Sequence, residues 1–140
     1  MILDDFYERQ DATAKAQKKP LRYLQTRRLL YEDLIQNLGE KESYLAMLCE
    51  LNTIDGMNEQ ALKNCKRAME LKKDDTKVQL NLAQVYKQTG QKKEAQEILE
   101  NAVLENPKSS EVLFAAGSYF EEEKNFAQAY LNFTSCALMT

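Results

Sequence analysis

The chain has 140 residues, 44% hydrophobic and 29% charged, with a net charge of −3, which is the composition of one folded domain and not of a disordered chain. Histidine is absent, which removes the usual general base, the serine and cysteine triads that need one, and the commonest metal ligand, so no enzyme, cofactor or metal site is expected. No apolar run approaches the roughly 20 residues that span a bilayer, and MILDDFYERQ lacks the basic start and long apolar stretch of a signal peptide, so a cytoplasmic or nuclear location is expected.

Glycine and proline are scarce and Ala, Leu, Glu, Lys and Gln abundant, which favours helix wherever the chain is unconstrained. In chain order, ILDDFYERQDATAKAQK predicts a first helix anchored by Ile2, Leu3, Phe6 and Tyr7. PLRYLQTRRLLYEDLIQNLG predicts a second of about eighteen residues. Pro20 suits its first turn, Gly39 its end, and Leu24, Tyr31, Ile35 and Leu38 its apolar face, with Leu30 and Leu34 beside them. Between Ala12 and Tyr31 there is no acid, while Lys15, Lys18, Lys19, Arg22, Arg27 and Arg28 supply six positive charges. This basic segment reads first as a solvated helix face. The alternative is docking of an acidic peptide, nucleic acid or anionic lipid, which no aromatic-basic interleaving or helix-turn-helix signal strengthens.

From residue 42 onward the sequence repeats. Ala61, Ala95 and Ala129 are spaced by thirty-four residues, as are Cys65, Leu99 and Phe133, and Ala68, Ala102 and Cys136. The same register joins Leu48, Leu82 and Ala116, then Cys49, Ala83 and Gly117, then Asn52, Tyr86 and Phe120. Three units follow, 42–75, 76–109 and 110–140, each predicted to be two amphipathic helices joined near its middle, roughly Lys77 to Gln88 and Lys92 to Leu104 in the second. Gly90 closes the first of these helices and Pro107 stops the second. Alanines in the seams let helix axes approach to about 8 to 9 Å. The three cysteines form no CxxC spacing and are expected to be small core residues, with neither a disulfide framework nor a zinc site.

Leu82, Ala83, Tyr86, Gly90, Ala95, Leu99, Ala102 and Pro107 match the pattern by which this chain resembles the tetratricopeptide repeat family. The first unit departs from it at Asn52, where an aromatic is expected, and at Lys73, where proline is; the third departs at Lys124, where glycine is. The resemblance implies an all-α fold, a right-handed superhelical stack of antiparallel helical hairpins, with residues 1–41 as an N-terminal cap or a degenerate repeat, the cap being preferred.

The resemblance also implies a concave groove lined by the first helix of each unit, here Glu50, Lys77, Leu80, Gln84, Lys87, Gln88, Glu111, Phe114, Ser118 and Glu121, basic in its middle and acidic at its end. Some family members clamp a chaperone carboxylate. At the matching positions Ala46, Glu50, Asn81, Glu111 and Ala115 keep only one suitable residue, so no such clamp is expected. The chain ends without a polar capping helix, leaving Phe126, Tyr130, Phe133 and Leu138 as a C-terminal interface; either a longer array continues beyond, or a partner or second copy covers them. The leading expectation is a non-catalytic module binding a peptide or helix and organising a larger complex. The alternative is a chaperone resembling class II type III secretion chaperones, which also combine N-terminal helices with three such repeats.

Overall fold

The computed structural model describes Asp4 and residues 23–138. Between Leu24 and Ala137 it contains seven helices: α1 (Leu24–Leu38), α2 (Glu42–Ile54), α3 (Asn58–Leu71), α4 (Thr76–Gln88), α5 (Lys92–Glu105), α6 (Ser110–Glu122) and α7 (Phe126–Ala137), and no strand occurs among the described residues. The first helices α2, α4 and α6 begin thirty-four residues apart, and so do the second helices α3, α5 and α7. Each hairpin packs against its neighbours along the chain, giving the stack expected of a repeat protein.

The same glycine geometry makes the first two hairpin turns. Gly56 and Gly90 have φ of 73° and 78°, and the amides of Met57 and Gln91 reach back to the carbonyls of Asn52 and Tyr86. Lys124 takes the equivalent place in the third turn at φ 62°, with Asn125 N–H bonded to the Phe120 carbonyl. Losing the glycine therefore leaves the turn intact and puts a side chain in the left-handed region instead. Helix starts are capped where the sequence allows it: Asp75, Ser109 and Asn125 accept from the amides of Val78, Val112 and Gln128.

Small residues mark the seams. Ala61, Ala68, Ala95 and Ala102 have no exposed surface, and Leu99, Tyr119 and Phe120 pack around Ala95. Ala95→Leu is expected to overpack this contact and cost roughly 1 to 3 kcal/mol, whereas Lys93→Leu on the exposed side should change stability little. Urea denaturation of both checks this; equal, negligible effects would place Ala95 outside the seam.

The cysteines differ from the expectation. Cys49 of α2 and Cys65 of α3 are fully buried and joined by a disulfide, with Cα atoms 4.8 Å apart, and Cys136 is free. Sixteen residues of sequence separation give no hint of this pairing. The repeat explains it: Cys49 lies in the column of Ala83 and Gly117, Cys65 in that of Leu99 and Phe133, and these two columns meet across each hairpin.

Helix α1 begins thirty-four residues before α3, so it occupies the place of a second helix. Arg27 and Tyr31 then fall in the columns of Ala61 and Cys65, and both are buried. An arginine in a seam requires compensation. Its Nε donates to Asp4 Oδ1 at 2.8 Å, and the Tyr31 hydroxyl donates to Asp4 Oδ2 at 2.5 Å. Leu24, Tyr31, Leu48 and Leu51 complete this layer.

Where α2 and α4 begin, two acids meet. The Glu42 carboxyl is pushed up to about 7 by a hydrogen bond with Asp75, then by desolvation and the Asp75 and Asp74 charges, against the pull of Lys72. Among the described residues no donor reaches its buried Oε1. Because the folded value exceeds the unfolded 4.5, the stabilisation is complete below that pH and disappears as pH rises through about 7. Glu42→Gln should flatten stability across this window and exceed the parent at pH ~8 by no more than about 1 kcal/mol, given solvent screening. Thermal denaturation against pH reads this out, and an unchanged slope would exclude the shared proton.

Candidate functional site

Side chains from two successive first helices converge on one cleft of about 300 Å³. Leu80, Ala83, Gln84 and Lys87 come from α4, spaced by a helical turn so that they share a face, and Phe114, Ala115, Ser118, Tyr119 and Glu122 come from α6. Leu99 of α5 closes the floor. Five residues expected to line a groove, Leu80, Gln84, Lys87, Phe114 and Ser118, are thereby brought together. Glu50, Lys77, Gln88, Glu111 and Glu121 do not line this cleft; Glu50 is half-buried and the other four are exposed.

The apolar points behave differently from one another. Phe114 is 61% exposed and lies against the Phe133 ring at 5.7 Å between centroids, whereas Leu80 is half-buried against the core. Phe114 therefore presents a large ring to the cleft from a supported position. The Tyr119 hydroxyl donates to the Lys92 carbonyl at 2.8 Å. Burial, then the charges of Glu123 and Glu100, push Tyr119 above its ordinary value and keep that donor protonated.

The expected passage from basic to acidic is altered at its centre. Lys87 Nζ pairs with Glu122 Oε2 across the cleft, so these charges answer one another as well as any ligand. The resemblance placed Lys87 in the groove, but its pairing depends on the approach of α4 to α6, which the sequence does not report.

The basic segment also changes character. Arg27 is buried in its ion pair with Asp4, and Arg28 pairs with Asp55 and contacts the Met57 sulfur. Neither is a solvated or open docking charge, because each is drawn to a carboxylate distant in sequence. Lys15, Lys18, Lys19 and Arg22 lie outside the described residues.

At the C-terminal end, Phe126, Tyr130 and Leu138 are 64%, 69% and 81% exposed. Leu131, which the sequence reading left out, joins them at 58%. Phe133 does not belong to this surface: its ring turns inward against Gly117 and Phe114. The missing side chain at Gly117 opens the space into which it turns. No group of His, Cys, Asp and Glu among the described residues forms a metal site, and no described helix is long and apolar enough to cross a membrane.

The sequence pattern of the tetratricopeptide repeat matches residues 53–116. Two solved structures share the fold. A structure titled MamA AMB-1 has a TM-score of 0.65 at 15% identity over 80% of this chain and 61% of that one. A second, titled Crystal structure of MamA, has a TM-score of 0.66 at 15% identity over 97% of this chain and 85% of that one. This chain thus spans less than two thirds of the first of these proteins. No curated protein matches it in sequence.

Proposed function

We propose a function from one premise: residues 53–116 belong to the tetratricopeptide repeat family. The chain is a non-catalytic protein-interaction module that holds a peptide or helix of a partner in the cleft between α4 and α6 and helps to organise a larger complex. The observation that carries this reading is Phe114, a mostly exposed ring standing beside Leu80 in a cleft whose rim is polar. Such an arrangement suits a few apolar anchors with side-chain hydrogen bonds around them, from Gln84 and Ser118 in particular.

The test is a selection of displayed peptides on the whole chain, followed by affinities measured on Phe114→Ala. Peptides seated in the cleft should lose about 30-fold or more, the loss expected of a buried anchor. Equal binding to both proteins by every selected peptide would remove the cleft as the site.

Self-association is a second part of the reading. Phe126, Tyr130, Leu131 and Leu138 are apolar side chains on or beside one helix, each more than half exposed. Burying each is worth roughly 1.5 to 3 kcal/mol, so a second copy is expected to cover them at high concentration. Sedimentation at several concentrations should show association that Tyr130→Lys weakens about tenfold or more. A strict monomer throughout would discard this interface and leave the cleft untouched.

A further inference from the structure

The cleft between α4 and α6 is ordered in tiers along its two helices. Leu80 and Phe114, thirty-four residues apart, occupy equivalent positions at one end, and Gln84 and Ser118 follow one turn on. The Lys87–Glu122 pair comes last, about 10 Å beyond Leu80 along α4. At about 300 Å³ the cleft lies at the small end of ligand sites and takes a pair of side chains.

The lining holds two charged side chains, and they neutralise each other. Lys87 Nζ pairs with Glu122 Oε2, both side chains being partly exposed. In water such a pair is worth little. A ligand that covers it takes both charges out of water together, which costs far less than burying either alone. A charged ligand residue in that place would draw one partner from the other and leave the second charge covered and unpaired. At the other end, Lys77 and Glu111 stand one turn before Leu80 and Phe114, exposed, outside the lining and again opposite in sign; Glu121 is outside the lining too. The middle tier differs from both. Gln84 is exposed and Ser118 half-buried, and among the described residues no hydrogen bond engages either side chain. An amide and a hydroxyl facing one cleft present donors and acceptors without charge, which a second carboxamide matches with its own donor and acceptor.

We propose that the cleft selects an uncharged segment of a partner protein, in which an apolar side chain seated between Leu80 and Phe114 is followed by an asparagine or glutamine that bonds Gln84 and Ser118. The Lys87–Glu122 pair excludes charged residues from the end that it closes. This inference rests on the reading that the cleft is the binding site, and adds the chemistry of what enters it.

The probes are capped dipeptides of leucine followed by asparagine, aspartate or lysine, titrated to millimolar concentration against the whole chain while the methyl resonances of Leu80 and Leu99 are followed. Saturable shifts are expected with leucine-asparagine, unchanged between about 50 and 500 mM salt, and about fivefold or more weaker with either charged probe. Gln84→Ala with Ser118→Ala should abolish the advantage of asparagine over alanine at the second position. Lys87→Met, which leaves Glu122 without its partner, should turn the preference toward leucine-lysine, and Glu122→Gln should turn it toward leucine-aspartate. If a charged probe bound the parent as tightly as leucine-asparagine while Phe114→Ala still removed the response, the cleft would stand as the site and this inference would be overturned. Silence of Leu80 and Leu99 toward every probe, while selected longer peptides still require Phe114, would overturn it equally. A response untouched by Phe114→Ala would remove the cleft itself, and the inference with it.

Discussion

Replacing Asp4 by alanine is expected to destabilise the protein by about 3 kcal/mol, a large effect for a residue so close to the N-terminus. Asp4 is 3% exposed, and its carboxylate is bonded by both Arg27 Nε and the Tyr31 hydroxyl. Arg27 lies in a column that elsewhere holds Ala61, Ala95 and Ala129, where the chain normally places nothing larger than a methyl group. Without Asp4 the guanidinium remains in that seam with the Met47 sulfur, a weak acceptor at 3.8 Å, and its remaining interactions. Breaking a buried pair typically costs about 3 to 5 kcal/mol, and the further interactions of Arg27 put the expectation at the lower end. Asp4→Leu combined with Arg27→Met should recover most of the loss, because neither charge then needs a partner. Urea denaturation of the single and double variants decides it: a loss below about 1 kcal/mol on Asp4→Ala would mean that this pair does not tie the N-terminus to α1.

The architecture was legible because the repeat states it several times. Ala95, Leu99 and Ala102 predict a seam that Ala61, Cys65 and Ala68 predict again, so an error at one column is corrected by another. The helices Thr76–Gln88 and Lys92–Glu105 accordingly differ from their expected spans by a residue at one end each. Sites were less legible, since they depend on which side chains meet across hairpins. Leu80, Gln84, Lys87, Phe114 and Ser118 line one cleft, while the pairing of Lys87 with Glu122 follows from the approach of two helices. Arg27 and Arg28 read as surface charge because their partners, Asp4 and Asp55, are more than twenty residues away. Cys49 and Cys65 read as unpaired because a separation of sixteen residues carries no pairing signal.

Gly117→Val is expected to cost about 3 kcal/mol, near the upper end for overpacking, although glycine inside a helix is ordinarily a liability. In an exposed helix, replacing glycine by alanine gains about 1 kcal/mol. Here a Cβ at position 117 would stand 2.7, 2.8 and 3.0 Å from Cε1, Cδ1 and Cζ of the Phe133 ring, well inside contact distance. The ring has little room to withdraw, because it also lies against Phe114 and the core around Leu99. For alanine the helix gain offsets part of the clash, and a net loss of about 1 kcal/mol is expected; valine adds two methyl groups and recovers less helix propensity. The second unit supplies the control. There the same columns hold Ala83 and Leu99 without conflict. In a Phe133→Leu background, Gly117→Ala should therefore become stabilising, with a coupling of about 2 kcal/mol between the two positions. Because Phe133 supports Phe114, Gly117→Val should also disturb the cleft between α4 and α6, visible as altered ring resonances of Phe114. Additive effects of the two substitutions would show that Phe133 is free to leave Gly117, and the pairing of small against large across the hairpin would then not fix the third unit.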